Sequence, residues 1–467
     1  MSRRVAILGA GPAGLAAALG LARRGFSVDL VESGTRVGGN AGSFELAGLR
    51  VDYGSHRLHP ATDPAIFAEI RELLGDDLLE RPRHGRIHLL GRFLHFPLRP
   101  LDLLLRTPPR FAFGVASDLA RKWAAPAATT SETFAGVLER GLGRTICRDF
   151  YFPYARKIWG LEPDQISATQ AHKRVAAGSI AKLLRRLLPG AGPGAATAKG
   201  TFFYPRAGYG QISEAYERAA REAGARLQLD SRAVRVERRA AGDFRIETSS
   251  ASLEADRVWS TIPNAVLVRI LDPAAPAEVI AAANALELRA MLLVYLVLET
   301  SRFSQYDAHY FPAAELPFTR VSEPKNYAAA NQPSGRTVLC AEIPCATTDP
   351  VWTLDDAALG ELVSEGLARA GLPVRAPIAE VATRRLPAAY PVYRSGYERA
   401  LGAVDDHITS REGILSFGRQ GLFAHDNTHH ALAMARAAVE CLRDDGSFDA
   451  SRWREHRAVF ETHVVED

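Results

Sequence analysis

The hexapeptide Gly9-Ala10-Gly11-Pro12-Ala13-Gly14 has the spacing G-x-G-x-x-G, and its neighbours narrow the folds open to this chain. Before it, Val5-Ala6-Ile7-Leu8 is a short apolar run, the mark of a buried parallel strand. After it, Pro12 to Arg24 is rich in Ala and Leu and stops at Gly25, so a helix is expected. Val28 to Val31 supplies a second strand, ended by Glu32. Strand, glycine turn, helix and strand in this order make a βαβ unit that binds a dinucleotide. Gly9 permits the tight turn, Gly11 lets backbone approach a pyrophosphate, and Gly14 allows close packing of helix on strand. The helix start offers unsatisfied N–H groups and about half a positive charge to the phosphates. Glu32 follows Gly14 by eighteen positions. An acid there accepts hydrogen bonds from ribose hydroxyls and disfavours a 2′-phosphate.

The dinucleotide reads as FAD. A second glycine pair comes soon after Glu32, in Gly38-Gly39-Asn40. It suits a longer cofactor whose second half lies against backbone. Gly190-Ala191-Gly192-Pro193-Gly194 does not follow a strand and is no second fingerprint. A separate nicotinamide domain is therefore not expected.

Composition sets the outer bounds. The 467 residues are 47% hydrophobic, with a formal net charge of +4. Such a chain holds two or three globular domains and lacks the basic excess of a nucleic-acid binder. Its partners are expected to be small molecules. Four cysteines, Cys147, Cys340, Cys345 and Cys441, form no zinc-type spacing. Cys340 and Cys345 are spaced like a redox pair but lie in an apolar stretch that reads as a buried strand, so reduced core thiols are expected. The N-terminus enters its first strand without a secretory segment, and the longest apolar run, Ala290 to Leu298, is too short to span a bilayer. A cytoplasmic location is the default expectation.

Further segments resemble one enzyme group. Val31-Glu32 with Gly38-Gly39-Asn40-Ala41 resembles an extended cofactor motif, and Asp52-Tyr53-Gly54-Ser55-His56-Arg57-Leu58-His59 a glycine–histidine loop beside a flavin. Arg156-Lys157-Ile158-Trp159-Gly160, ending at Lys173-Arg174, resembles a substrate-domain helix and following strand. Phe318-Thr319-Arg320-Val321-Ser322-Glu323 resembles a Thr-Arg-x-x-Glu strand, and Gly418-Arg419-Gln420-Gly421 with Asp426-Asn427 a C-terminal flavin loop. Together they resemble the FAD-dependent amine oxidase, protoporphyrinogen oxidase and phytoene desaturase superfamily, in the branch that includes UDP-galactopyranose mutase. The stretch Tyr204-Pro205-Arg206-Ala207-Gly208-Tyr209-Gly210 reads more like the oxidase and desaturase side.

The resemblance implies an α/β fold: a Rossmann-like FAD-binding domain with an inserted α+β substrate domain. It divides the chain into FAD-binding segments 1–85, 200–285 and 401–467, the last with a C-terminal helix. The substrate domain is then a mostly helical 86–199 and a β-rich 286–400. It carries over Gly9, Gly11, Gly14, Glu32, Gly38, Gly39 and Asn40 as cofactor residues. Val234 takes the position whose backbone meets adenine, and Gly418, Arg419 and Asp426 the loop over the ribityl and pyrophosphate.

His56 and His59 are candidates to lie against the flavin and polarise it or carry a proton; the bland alternative is a pair that holds a loop. Asp52 with these histidines, or His425 with His429 and His430, suggests a metal only weakly, since both segments fit flavin loops; no metal is expected. Arg174 and Arg320 are candidates to bind an anionic group through paired hydrogen bonds. The alternative is structural ion pairs, with Glu323 as partner of Arg320. Trp159, Tyr204, Tyr209 and Tyr393 are candidate pocket aromatics, although aromatics more often fill cores. The basic, leucine-rich stretch from Arg99 to Lys122 allows peripheral contact with a membrane or a lipid substrate, with amphipathic helices as the simpler reading.

Two reactions stay open. In one, an FAD-dependent oxidoreductase passes hydride from a small or lipid-like substrate to flavin N5. In the other, a mutase uses reduced flavin without net redox change on a sugar nucleotide, with Arg174 and Arg320 on the diphosphate.

Overall fold

A computed structural model describes residues 4–96, 102, 105–124, 133–174, 200–329 and 333–465, excluding the side chains of residues 122–124 and 174. Its organising layer is a five-stranded parallel sheet. In spatial order the strands are Ile414–Ser416, Arg257–Ser260, Arg4–Leu8, Ser27–Val31 and Arg226–Gln228. The first strand is central because both of its faces are apolar. Val5 and Ile7 enter a core with the helices Pro12–Arg23, Gln211–Glu222 and Thr428–Cys441. Ala6 and Leu8 enter a second core with Val236 and Ile246. That core lies against an antiparallel sheet ordered Ser252–Ala255, Phe244–Thr248, Ala233–Arg238 and Leu271–Asp272. Alternation along one strand thus feeds two layers.

A seven-stranded sheet forms the other half of the molecule. Its order is Ile378–Pro391, Leu288–Leu298, Thr337–Cys345, Arg320–Ser322, Ala308–Tyr310, Gly85–Leu89 and Arg92–Phe96. Leu292, Val294 and Leu296 pack with the helix Asp356–Arg369. Met291, Leu293 and Tyr295 point the other way, onto the hairpin formed by Ser43–Leu46 and Leu49–Asp52. This is the α/β architecture expected, a parallel Rossmann-like sheet with a mixed substrate-domain sheet.

The helices Phe134–Leu142, Phe152–Trp159 and Ala168–Arg174 share a further core. Here the expectation of a strand ending at Lys173-Arg174 is corrected: these residues are helical. Ser167 Oγ caps the helix start by accepting from Thr169 N–H at 3.3 Å. Cys340 and Cys345 lie unpaired and buried on one strand. Five residues apart, they project to opposite sheet faces. Among the described residues, no helix is long and apolar enough to cross a membrane. The glycine-rich stretch 190–194, and most of the leucine-rich run before residue 105, lie outside the described residues.

The first turn shows why glycine is needed. Gly9 has φ +100°, a region closed to most side chains. A Cβ on Gly14 would sit 1.9 Å from the Gly9 carbonyl oxygen. Gly14→Ala is therefore expected to push the first helix off its strand and cost about 3 kcal/mol or more. Thermal or denaturant unfolding of the purified variant measures this, and wild-type stability would contradict it.

Candidate active site and cofactor cleft

A cavity of about 860 Å³ opens beyond the C-terminal ends of the parallel strands, the position where open α/β sheets bind ligands. Leu8 to Gly9, Val31 to Glu32, Thr261 and Gly418 contribute strand ends and turns. Met291, Tyr310, Thr319, Arg320 and Glu342 contribute the facing edge of the seven-stranded sheet. One space therefore joins the dinucleotide turn to the second sheet.

The glycine turn is shaped for a phosphate. Gly11 begins the first helix, and a Cβ built on it meets nothing within 4 Å. Its surface is open cavity, where a diphosphate can approach the helix N–H groups. Glu32 lines the same space. Its Oε2 accepts from Ala10 N–H at 2.9 Å and its Oε1 from Gly34 N–H at 2.8 Å. The carboxylate thus pins the turn, and its remaining lone pairs still suit a sugar hydroxyl. Gly38, Gly39, Asn40, Val234, Gly418, Arg419 and Asp426 all line this cavity. Asn40 donates to Ala388 O at 3.1 Å and Arg419 to Ala389 O at 2.8 Å, so both reach across to the long strand Ile378–Pro391. The Asp426 side chain is fully buried, and its Oδ1 makes no hydrogen bond. An open backbone cradle, a sugar-binding acid and an unsatisfied buried acceptor fit an FAD.

The two histidines part company. His56 lines the cavity, stacked on Tyr209 with ring centroids 5.2 Å apart. Its Nε2 lies 2.8 Å from Asn40 O and 2.9 Å from Tyr53 O. Both neighbours are acceptors, so Nε2 carries the proton. Burial lowers the His56 pKa, and the ring is neutral. His59 is not among the cavity residues; its Nδ1 accepts from Ala61 N–H at 3.1 Å in the turn before the helix Pro64–Leu74. That placement corrects its assignment to the flavin face.

Arg320 lines the cavity and forms a two-pronged pair with Glu342, Nε to Oε1 at 3.0 Å and Nη2 to Oε2 at 2.9 Å. The expected partner, Glu323, is corrected by strand geometry. Three residues along an extended chain lie on the opposite face, and Glu323 instead accepts from Phe303 N–H and Ser304 N–H at 2.8 Å. Glu342 stands directly across the strand pair from Arg320. Its Oε1 also accepts from Ser55 N–H at 2.8 Å, which ties the loop before His56 to the sheet.

Three candidate pocket aromatics lie elsewhere. Tyr204 is fully buried and donates to Asp52 Oδ2 at 2.6 Å. Ser43 Oγ donates to the other oxygen at 2.6 Å, as does Tyr209 N–H at 2.9 Å. Burial raises the Asp52 pKa against these donors. Tyr393 donates to Phe423 O at 2.9 Å and accepts from His425 N–H at 3.1 Å, so it shapes the C-terminal loop from behind. Trp159 packs edge-on against Phe134 in the helical core. Its neighbours Tyr154 and Ile158 reach the cavity instead. The Arg174 side chain lies outside the described residues.

Sequence reasoning passed over several residues. Arg57 lines the cavity, paired with Asp307 at 3.3 Å and donating to Tyr310 OH at 3.1 Å. Its place beside His56 was the available signal. Tyr390 and His425 stack at 5.1 Å and line the cavity together. Thirty-five residues separate them, and no local pattern joins them. Asp426, His430 and His463 bring three potential ligand atoms within 4.8 Å. The two rings are nearly parallel, 14° apart, so no metal can lie in both ring planes at ligand distance.

Fold and cavity define a dinucleotide-binding flavoprotein. The profile of the flavin containing amine oxidoreductase family matches residues 12–438, and the chain belongs to that family. Its cofactor is FAD. A Mycobacterium tuberculosis protein named as the flavin-containing monoamine oxidase AofH is 31% identical over 301 residues, 59% of this chain and 60% of that one. The chain thus spans about three-fifths of that relative's length. Human protoporphyrinogen oxidase is 26% identical over 345 residues, covering 68% of this chain and 72% of that one. Reduced UDP-galactopyranose mutase superposes with a TM-score of 0.81 at 21% identity, over 99% of this chain and 100% of that one. Putrescine oxidase bound to putrescine gives 0.68 at 19%, over 94% and 98%. The two structures show a shared fold.

Two outcomes test the geometry. Gly11→Val is expected to leave the fold intact, because no atom opposes the new side chain, while abolishing FAD binding. A colourless protein with wild-type melting is the expected result. Glu342→Ala is expected to cost about 3 kcal/mol, because Arg320 loses its buried partner. The double variant Arg320→Met, Glu342→Leu should lose less than Glu342→Ala alone, and a double-mutant cycle in urea measures the coupling.

Proposed function

We propose that this chain is an FAD-dependent oxidoreductase that oxidises a largely uncharged organic substrate. The observation that carries this reading is the Arg320–Glu342 pair, with both hydrogen bonds at or below 3.0 Å. Glu342 neutralises the arginine that a diphosphate-binding mutase would need. Arg57, the other cation on this side of the cavity, faces buried Asp307. Arg320 and Arg57 thus each face a buried carboxylate rather than open cavity. Tyr154, Ile158, Met291, Pro387 and Tyr390 give that side an apolar lining, which suits an amine-like or hydrocarbon-bearing molecule.

Held in this cleft, FAD would supply a two-electron acceptor for hydride from the substrate carbon, and oxygen or another acceptor would reoxidise it. The chain supplies the rest. The glycine turn and helix start hold the phosphates, and Glu32 grips the adjoining sugar. Neutral His56 donates through Nε2 to the carbonyls of Asn40 and Tyr53, which fixes the two loops that face the cofactor. Glu342 fixes the same loop through Ser55 and keeps Arg320 extended. The Tyr390–His425 stack forms part of the cavity wall. His56 Nε2, already protonated and bonded to two carbonyls, does not take the proton that leaves the substrate.

The test is anaerobic mixing of the yellow protein with a panel of primary amines, porphyrinogens and sugar nucleotides. Bleaching by an amine or a porphyrinogen, without dithionite, is the expected outcome. Conversion of a sugar nucleotide only after prior reduction, with no net redox change, would replace this reading with the mutase one.

A further inference from the structure

The chain does not end its work at the last helix. After Ala450–Glu461, the segment from Thr462 turns back toward the cofactor cleft, and Val465 is one of the residues lining it. Val465 N–H donates to Lys173 O at 2.8 Å, so the segment ties to the end of the helix Ala168–Arg174. His463 Nδ1 lies 3.0 Å from Asp426 Oδ2 and donates to it, since a carboxylate only accepts. The His463 ring lies flat on His430, centroids 4.2 Å apart. His430 comes from the helix Thr428–Cys441, where its Nδ1 accepts from Asn427 N–H at 3.2 Å.

Asp426 gives this contact its meaning. Its side chain is fully buried at the cleft, with one oxygen held by His463 and the other making no hydrogen bond. Burial would raise its pKa, but His463, His430 and Lys173 outweigh it and hold the carboxyl below its ordinary range. The carboxylate is thus kept charged, with Oδ2 hydrogen-bonded to His463 and Oδ1 facing His430 Nδ1 at 4.0 Å without a hydrogen bond.

We infer that His463 is a positioning residue for the cofactor, and that Thr462–Val465 forms a strap which orients Asp426 and closes the cleft beside it. The inference rests on the reading of Asp426 as part of the flavin loop. The strap also joins two bodies: His463 holds the loop after the parallel sheet, and Val465 holds a helix of the substrate side.

The experiment compares wild type with Asp426→Asn, His463→Ala, His463→Gln and a chain stopped after Glu461. FAD affinity is read from flavin fluorescence on dilution, with circular dichroism to report folding. Asp426→Asn and His463→Ala should each weaken FAD binding by about tenfold or more. His463→Gln keeps an N–H donor and should recover affinity to within about threefold of wild type. The shortened chain should release FAD at least as readily as His463→Ala. Wild-type affinity in His463→Ala beside a weakened Asp426→Asn would overturn the strap while leaving the Asp426 reading in place. Wild-type affinity in Asp426→Asn would remove the premise. A glutamine variant no better than alanine would show that His463 only fills space. If His463→Ala fails to fold, the glutamine variant and the shortened chain carry the test.

Discussion

The cleft depends on the tight packing of the first helix on the turn after the first strand, where Gly14 faces the Gly9 carbonyl with no room for a methyl group. Everything at the cleft takes its position from that contact. It sets the helix start beside the strand end, so free N–H groups face the cavity at the level where Glu32 leaves the second strand. It also fixes the face on which the helices Gln211–Glu222 and Thr428–Cys441 pack. Helix propensity alone would not place these N–H groups; the packing of two backbones does.

A second constraint governs the other end of the cavity. Glu342 is buried and joins three pieces of chain at once: its own strand, Arg320 on the next strand, and the Ser55 backbone. A buried carboxylate in this position is stable because its hydrogen bonds are charge-assisted and two-pronged. The pair leaves Arg320 neutralised by a buried carboxylate, while the helix start at Gly11 stays open to the cavity. In the proposed reading the phosphates meet that helix start, and the other end of the cavity is lined with aromatic and aliphatic groups.

How much of this could be read beforehand depended on sequence distance. The turn at Gly9 to Gly14 and the acid at Glu32 belong to one short unit, and local spacing carries their geometry. The two-sheet architecture was legible too, because apolar runs such as Leu288–Leu298 have strand character on their own. The partner of Arg320 was not. A local search offers Glu323, but strand register chooses Glu342, twenty-two residues away. Tyr204 and Tyr393 failed as pocket residues for a related reason. Their hydroxyls find buried acceptors at Asp52 and Phe423, and such partners come from folds rather than neighbours. His463 carried no signal at all, since a lone histidine near a chain end has no pattern around it.

The parallel sheet draws its strands from residues 4–8, 27–31, 226–228, 257–260 and 414–416. Only the first pair is close in sequence. Each later strand must find its place after hundreds of residues have been made, and the entropy of closing those loops is spent before the sheet repays it. Assembly of the cofactor half thus waits until residues 414–441 have been made. A ribosome-bound fragment lacking residues 414–441 would expose one edge of the sheet and the bare face of the first helix. Such a nascent chain exposes the kind of apolar surface and unpaired strand edge that chaperones shield.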